Sequence, residues 1–325
     1  MRKRSYLVFL CGSLVVLVIV AIVLRRHFRY PTERPAEIIY FATIGNRPFQ
    51  DSISSIWPDG SRREEFLSPK HGKSYLAASG TSMSKRFVVA VHEVSANPKR
   101  TENHLFLYDP NSQVRKRLIT QEGIEGYGAV SPDDSRVVVE FEPRTPAGEK
   151  REQGRLWMVD LASGSIEKLT SNDEEGTWDA QPAWRPDSEE VIFLRFRLTS
   201  EGVLSKLMRV SAKGDEPIAL AEGVADACYA PDGRRLAIVA YGGLQVWDPA
   251  KDTRALIVSW SSFPDHKYLA SGLSWSGTFD KIAFSITNMK TNQSELWTVS
   301  SNGQDAKQVL VENGRISFPV FVRTR

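Results

Sequence analysis

A chain of 325 residues, 41% hydrophobic and 10% aromatic, can bury a large core, and its ordinary composition with many Gly and Pro argues for ordered β structure over disorder. The net charge of +3 misleads about partners: of 42 Lys and Arg, six fall in residues 1–29 with no acid beside them, which leaves 36 basic against 39 acidic residues. That balance excludes the clustered basic surface a nucleic-acid binder needs, and Arg115-Lys116-Arg117 reads as a solvated face.

In chain order, residues 1–4 are a basic flank. Residues 5–24 carry no charge, are dominated by Leu, Val, Ile and Phe, and are long enough to span a bilayer. A cleaved signal peptide is the competing reading, but no small-x-small site follows and the run passes directly into Arg25-Arg26. Cys11 follows Leu10, where a lipoprotein cleavage site needs a small residue. The expectation is an uncleaved single-pass membrane anchor. Arg2, Lys3 and Arg4 on one side nearly balance Arg25, Arg26 and Arg29 on the other, so flanking charge does not set the orientation. Residues 25–36 form a charged linker.

From Glu37 onward a phrase recurs. Val130-Ser131-Pro132-Asp133-Asp134 precedes Val137-Val138-Val139, Trp184-Arg185-Pro186-Asp187-Ser188 precedes Val191-Ile192-Phe193, and Tyr229-Ala230-Pro231-Asp232-Gly233 precedes Leu236-Ala237-Ile238. Trp275-Ser276-Gly277 before Ile282-Ala283-Phe284 is a looser copy. Each reads as a strand, a turn whose φ is set by Pro, and a second apolar strand. The second-strand positions Ile38, Phe87, Val137, Val191, Leu236 and Ile282 are spaced by 49, 50, 54, 45 and 46 residues. A third strand follows each, as at 53–57, 105–108, 156–159, 207–210, 244–247 and 296–299, and a fourth closes the unit, as in Glu167-Lys168-Leu169-Thr170. Repeats of this length made of four short strands specify a β-propeller, here with six blades spanning 37–325. The first unit lacks its own first strand, and Ser317-Phe318-Pro319-Val320-Phe321 matches Ala180-Gln181-Pro182-Ala183-Trp184, so the C-terminal strand is expected to close the ring.

The repeat resembles the TolB-like family of six-bladed propellers, carried best by Pro182-Ala183-Trp184, Lys281-Ile282-Ala283-Phe284 and Lys168-Leu169-Thr170. The resemblance covers essentially all of the chain from Glu37. It is weakest in the second blade, where Gly80-Thr81-Ser82-Met83 replaces the Trp-Ser-Pro-Asp phrase. It implies a binding role and an exported propeller, with the N-terminus in the cytoplasm and the propeller on the periplasmic side.

Motifs for catalysis are sparse. Gly272-Leu273-Ser274-Trp275-Ser276-Gly277 is one residue too long for a nucleophile elbow and falls on a strand. The five histidines lack metal-ligand spacing and no cofactor is expected. Asp133-Asp134 and Asp232-Gly233 lack the alternating oxygen ligands of a calcium loop. Cys11 lies in the apolar span and Cys228 on an inner strand, so no internal disulfide is expected and Cys228 reads as a small core residue. A glycosidase-like carboxylate pair stays open, with Glu125 and Asp179 as candidates.

The Ser-Pro-Asp and Asp-Gly turns share one face of a propeller and are compact. Connections on the other face read as long: 92–104, 142–154, 171–180, 198–205, 261–271 and 288–294. Loop growth on one face of a repeat fold marks a binding face. The candidate partner-binding residues there are Trp178, Asp179, Phe263, Asp265, His266 and Tyr268, with Tyr127 and Tyr241 nearby. Trp260 and Tyr268 have a competing role as plugs between blades, and Trp57, Trp157, Trp184, Trp247, Trp275 and Trp297 are expected in the core. The reading is a membrane-anchored, non-catalytic propeller that binds a protein or envelope polymer. The alternatives are a central-cleft enzyme or carbohydrate binder, and a purely structural part of an envelope complex.

Overall fold

A computed structural model describes residues 34–44, 50–69, 73–79, 84–94, 101–112, 114–145, 153–171, 174–263, 272–288 and 290–324. The expected anchor at 5–24 lies outside the described residues, among which no helix is long and apolar enough to cross a membrane.

Blade one holds β1 (Glu37–Ile44), β2 (Ser52–Ile56) and β3 (Glu64–Leu67); blade two holds β4 (Lys73–Ser79), β5 (Phe87–Val94), β6 (Thr101–Asp109) and β7 (Val114–Arg117). Blade three is β8 (Gly123–Val130), β9 (Arg136–Pro143), β10 (Arg155–Asp160) and β11 (Ile166–Lys168). Blade four is β12 (Thr177–Trp184), β13 (Glu190–Thr199), β14 (Gly202–Ser211) and β15 (Ile218–Glu222). Blade five is β16 (Val224–Tyr229), β17 (Leu236–Ala240), β18 (Gly243–Asp248) and β19 (Thr253–Ser259). Blade six is β20 (Leu273–Trp275), β21 (Lys281–Asn288), β22 (Gln293–Ser300) and β23 (Lys307–Asn313), and β24 (Arg315–Arg323) ends the chain. The six sheets are four-stranded antiparallel meanders, and blade one has the order β24-β1-β2-β3. The C-terminal strand therefore closes the ring as expected: Ile39 faces Phe321 and Tyr40 faces Val320 in register, with Phe321 fully buried.

The second strands read as continuous apolar runs because each is sandwiched between neighbouring blades. On β13, Val191 and Phe193 pack with Ala129, Val138 and Trp184 of one side, while Ile192 and Leu194 pack with Val224, Leu236 and Ile238 of the other.

The repeated turns are built alike. Ser131, Arg185, Ala230 and Ser276 each donate N–H to the carbonyl five positions on, all at 2.8 Å. The fourth turn position has a left-handed φ at Asp134 (59°), Ser188 (63°) and Gly233 (67°), which is why Asp, Ser and Gly are spelled there. Asp133, Asp187 and Asp232 each accept a backbone N–H two residues on, from Ser135, Glu189 and Arg234. The same turns latch blade to blade. Ser84 Oγ donates to Asp134 at 2.6 Å, the Arg136 guanidinium donates to the Ser188 carbonyl at 2.6 Å, and the Tyr229 hydroxyl donates to Glu190. At the closure, buried Glu37 accepts from Ser276 Oγ, from Gly277 N–H at 3.0 Å and from Thr278 Oγ1 at 3.0 Å.

One expectation is corrected. Residues 198–205 are not a long irregular loop: β13 and β14 run ten residues each and meet in a tight turn at Ser200 and Glu201. Likewise the connection within 288–294 is short, with β21 ending at Asn288 and β22 starting at Gln293.

Candidate partner-binding face and central cavity

The hairpin of blade four overtops its neighbour, since β17 and β18 have only five and six residues. Its sheet face toward blade five continues the buried residues Ile192 and Leu194 outward. Side chains two apart on a strand share a face, so Phe196, Leu198 and their register partners Trp178 and Val203 form one apolar ladder. Trp178 stacks on Phe196 with centroids 5.3 Å apart and planes at 23°. Leu198 is 64% exposed and Val203 55%. Leu204, on the opposite side of the hairpin, is 56% exposed, and Tyr241 at the short turn of blade five is fully exposed.

The other predicted contacts are distributed differently. Asp179 is buried and grips Arg195 through both carboxylate oxygens, at 2.6 and 2.9 Å; it supports the face from below and does not reach its surface. Phe263 is half-buried, edge-on to Trp297 at 5.5 Å, and Trp260 packs beside it against the same core, as its competing role requires. Asp265, His266 and Tyr268 lie outside the described residues. Tyr127 is not on this face: it lines the central cavity and packs on Phe318 at 4.4 Å. Glu125 is buried, accepting Leu105 N–H at 2.6 Å and lying 3.3 Å from His104 Nδ1 and 3.7 Å from an Arg117 nitrogen. Burial raises its carboxyl, and the Leu105 and His104 hydrogen bonds oppose that. Glu125 and Asp179 are thus both engaged in internal ion pairs.

The cavity follows from irregular inner strands. Register shifts interrupt β4 between Tyr75 and Ala77, β8 between Glu125 and Gly128, β12 between Ala180 and Ala183, and β16 between Val224 and Asp226. In β12 and β24 the extra residue, Gln181 (φ 54°) or Phe318 (φ 52°), is left-handed and stands before a proline. Such bulges bend a strand and re-aim side chains. Two acids stitch the bulges together. Glu140 accepts Gln181 N–H at 2.7 Å and the Tyr127 N–H. Asp226 accepts Ala227 N–H at 2.7 Å and the N–H groups of Gly272 and Leu273. Burial pushes both carboxyls up to about 7 against the pull of those hydrogen bonds. Tyr127 is pushed up to about 12 by burial and by Glu140, and burial raises the Cys228 thiol and the Tyr229 phenol.

Sequence reasoning missed Asp226, Glu140 and Gln181. The available signals were a lone acid inside the apolar strand Val224-Ala225-Asp226-Ala227-Cys228 and the paired phrases Gln181-Pro182 and Phe318-Pro319. Among the described residues, no three His, Cys, Asp or Glu side chains assemble as a metal site.

No family model matches the sequence, and no curated protein matches it. In three dimensions the chain is similar to TolB from Acinetobacter baumannii, with TM-score 0.65 and 16% identity over 92% of this chain and 70% of that one. It is similar to a protein from Agrobacterium tumefaciens assigned to TolB, with TM-score 0.55 and 12% identity over 86% and 90% of the two chains. It is also similar to hydrazine synthase from Kuenenia stuttgartiensis, with TM-score 0.63 and 10% identity over 90% of this chain but 47% of that one. The six-bladed propeller is thus the fold of the TolB proteins, and at these identities the likeness speaks to fold alone.

Proposed function

We propose that this chain is a non-catalytic binding propeller that captures a protein partner on the loop-rich face, centred on the overhanging hairpin of blade four. The observation that carries the reading is the apolar ladder of Trp178, Phe196, Leu198 and Val203, half-buried at Trp178 and Phe196 and more than half exposed at Leu198 and Val203. Contiguous exposed apolar surface on a soluble fold marks an interaction site, and aromatic anchors beside aliphatic groups are typical of its energetic centre. The compact-turn face is occupied with latching the ring, and the chain enters on that side through Glu37, which leaves the opposite face free for a partner. Residues 5–24 are the proposed membrane anchor, an uncharged apolar run long enough to span a bilayer, with the propeller on the periplasmic side. A central-cleft enzyme is disfavoured because Glu125 and Asp179 are consumed by internal ion pairs.

The test is crosslinking and capture from native membranes with wild type, Trp178→Ala and Leu198→Asp, each checked by thermal melt. Both variants should stay folded and lose capture. Undiminished capture by both folded variants removes this face as the site. N-terminal sequencing and a C-terminal topology reporter test the anchor; a soluble product beginning after residue 24, or a reporter active only in the cytoplasm, overturns it.

A further inference from the structure

We propose that His104, Glu125 and Arg117 form a pH-operated latch between blades two and three: neutral His104 accepts a hydrogen bond from Arg117, and protonated His104 donates to Glu125 and releases Arg117 to solvent. The latch sits where the repeat departs from its own pattern. In blade three, Leu169 N–H donates to the Leu156 carbonyl at 2.8 Å, and Leu156 N–H donates to Thr170 Oγ1 at 3.1 Å. Blade two repeats the first bond, from Leu118 N–H to the Leu105 carbonyl at 2.9 Å, but has Ile119 where blade three has Thr170. Ile119 offers no side-chain acceptor, and the Leu105 N–H goes instead to Glu125 on β8 of blade three, at 2.6 Å. An ionisable contact between blades thus stands in for a neutral hydroxyl contact within one.

The other Glu125 oxygen completes the cluster. His104 Nδ1 lies 3.3 Å from Glu125 Oε1 and 2.9 Å from Arg117 Nη2, and that guanidinium nitrogen lies 3.7 Å from the same oxygen. An imidazole nitrogen carries either a lone pair or a proton. With a lone pair, Nδ1 accepts from Arg117 and meets Glu125 as acceptor against acceptor. With a proton, it donates to Glu125 and faces in Arg117 a second donor of like charge. One atom therefore selects between two partners, and histidine is the side chain whose charge ordinarily changes between about pH 5 and 8. The partners differ in their freedom to move. Glu125 is 1% exposed and held by Leu105, whereas Arg117 is 41% exposed at the end of β7. Arg117 is the member that leaves. Burial raises the Glu125 carboxyl, the Leu105 and His104 hydrogen bonds pull it down, and the charges acting on it are those of His104 and Arg117. The other titratable groups of the elements packed here are committed elsewhere. His92 on β5 lies 2.6 Å from Asn103 Oδ1, Glu93 pairs with Lys73 of β4, and Glu122 pairs with Arg144. On β7, Arg115 stands over the Phe106 ring and Lys116 reaches the Leu161 carbonyl. Glu140 accepts the Gln181 and Tyr127 N–H groups, and Arg155 donates to the Gly154 and Thr177 carbonyls. Glu142 is the register partner of Ile124, on the other side of the sheet from Glu125.

The experiment follows two readouts on the full-length chain in detergent from about pH 8 to about pH 5.5. The first is the imidazole nitrogen NMR spectrum, with His104 assigned by replacing His27, His71, His92 and His266 in turn. The second is the rate at which phenylglyoxal modifies Arg117, measured by mass spectrometry relative to Arg234 of the same chain, which is 64% exposed. Neutral His104 should carry its proton on Nε2 with Nδ1 bare, and both nitrogens should be protonated at the acid end. The ratio of Arg117 to Arg234 modification should rise several-fold over the same range, in step with the ring, and should stay flat in His104→Gln. The proposal is overturned if His104 does not titrate in this range or if its neutral ring carries the proton on Nδ1. It is equally overturned if the ratio is constant while the ring titrates, or if the rise persists in folded His104→Gln. Should His104→Gln not fold, the protonation site of the wild-type ring and the coincidence of the two wild-type titrations decide.

Discussion

The two faces of this ring spend their side chains in opposite ways. On the compact face, Ser, Asp and Arg of one blade are hydrogen-bonded into the turn of the next, as in Ser84 with Asp134 and Arg136 with Ser188. On the loop-rich face, the hairpin of blade four carries apolar side chains into solvent, and its ion pairs Arg197–Glu174 and Lys206–Glu222 are surface pairs of the kind that adds little stability. The repeated face closes the fold, and the irregular face is the one on which the proposed recognition is placed. Substitutions should therefore separate stability from binding according to the face they touch.

The largest stability loss should come from the closure. Deleting residues 315–325 removes β24 and exposes the edge of β1, with a penalty comparable to the net stability of about 5–15 kcal/mol for a typical domain. Phe321→Ala, at a fully buried site, should cost about 3–5 kcal/mol through cavity formation. Glu37→Ala should cost about 3 kcal/mol, because the donors at Ser276, Gly277 and Thr278 lose a charged acceptor. Urea unfolding checks all three, and an unchanged midpoint for the deletion would refute the closure.

Acidity separates the cavity wall from the compact turns. Asp226 and Glu140 have carboxyls raised to about 7. Between the ordinary carboxylate range and that value, the folded protein holds protons that the unfolded chain has lost. Their contribution is therefore full below about pH 4 and is lost as pH rises through about 7, to an extent of order 4 kcal/mol for Asp226 as an upper bound. The turn acids behave oppositely. Burial works upward on Asp133 and Asp187, but the bonds from Ser131 and Ser135 to one and from Arg185 and Glu189 to the other hold both below the ordinary value. Their contribution is lost as pH falls through those lowered values. The melting temperature should fall between pH 5 and pH 8, and Asp226→Asn should make that limb shallower, leaving the part due to Glu140 and the acid limb unchanged. Asp133→Asn should change only the acid limb.

What was legible in the sequence was whatever a local rule fixes. The Pro-Asp turns, with left-handed Asp134, Ser188 and Gly233, announce themselves in a few residues. The doubly buried second strands announce themselves as apolar runs, and the match of Phe318-Pro319-Val320 to Gln181-Pro182-Ala183 foretold closure. Features created between blades were hidden. Asp226 is meaningful only because Gly272 and Leu273 of the next blade point N–H groups at it. Asp179 looked like a surface acid until Arg195, its register partner across the sheet, neutralised it. The run Leu198-Thr199-Ser200-Glu201-Gly202-Val203 reads as a loop because Ser, Glu and Gly are turn formers; only Ser200 and Glu201 make the turn, and the strands continue on either side.

The smallest effect on stability, and the sharpest on binding, should come from the overhanging hairpin. Leu198 and Val203 are more than half exposed, so Leu198→Asp or Val203→Asp should change stability by no more than about 0.5 kcal/mol. Trp178→Ala forfeits its stack on Phe196 and should cost about 1 kcal/mol. If the ladder is the anchor of an interface, each change should weaken partner capture by about 2 kcal/mol, close to thirtyfold. Phe279, 41% exposed on a compact-face turn, is the matched control: Phe279→Ser removes a similar apolar surface from the opposite side. Capture measured by crosslinking should fall with the hairpin variants and persist with Phe279→Ser. The reverse pattern would assign recognition to the compact face, and the division of labour between the two faces would have to be exchanged.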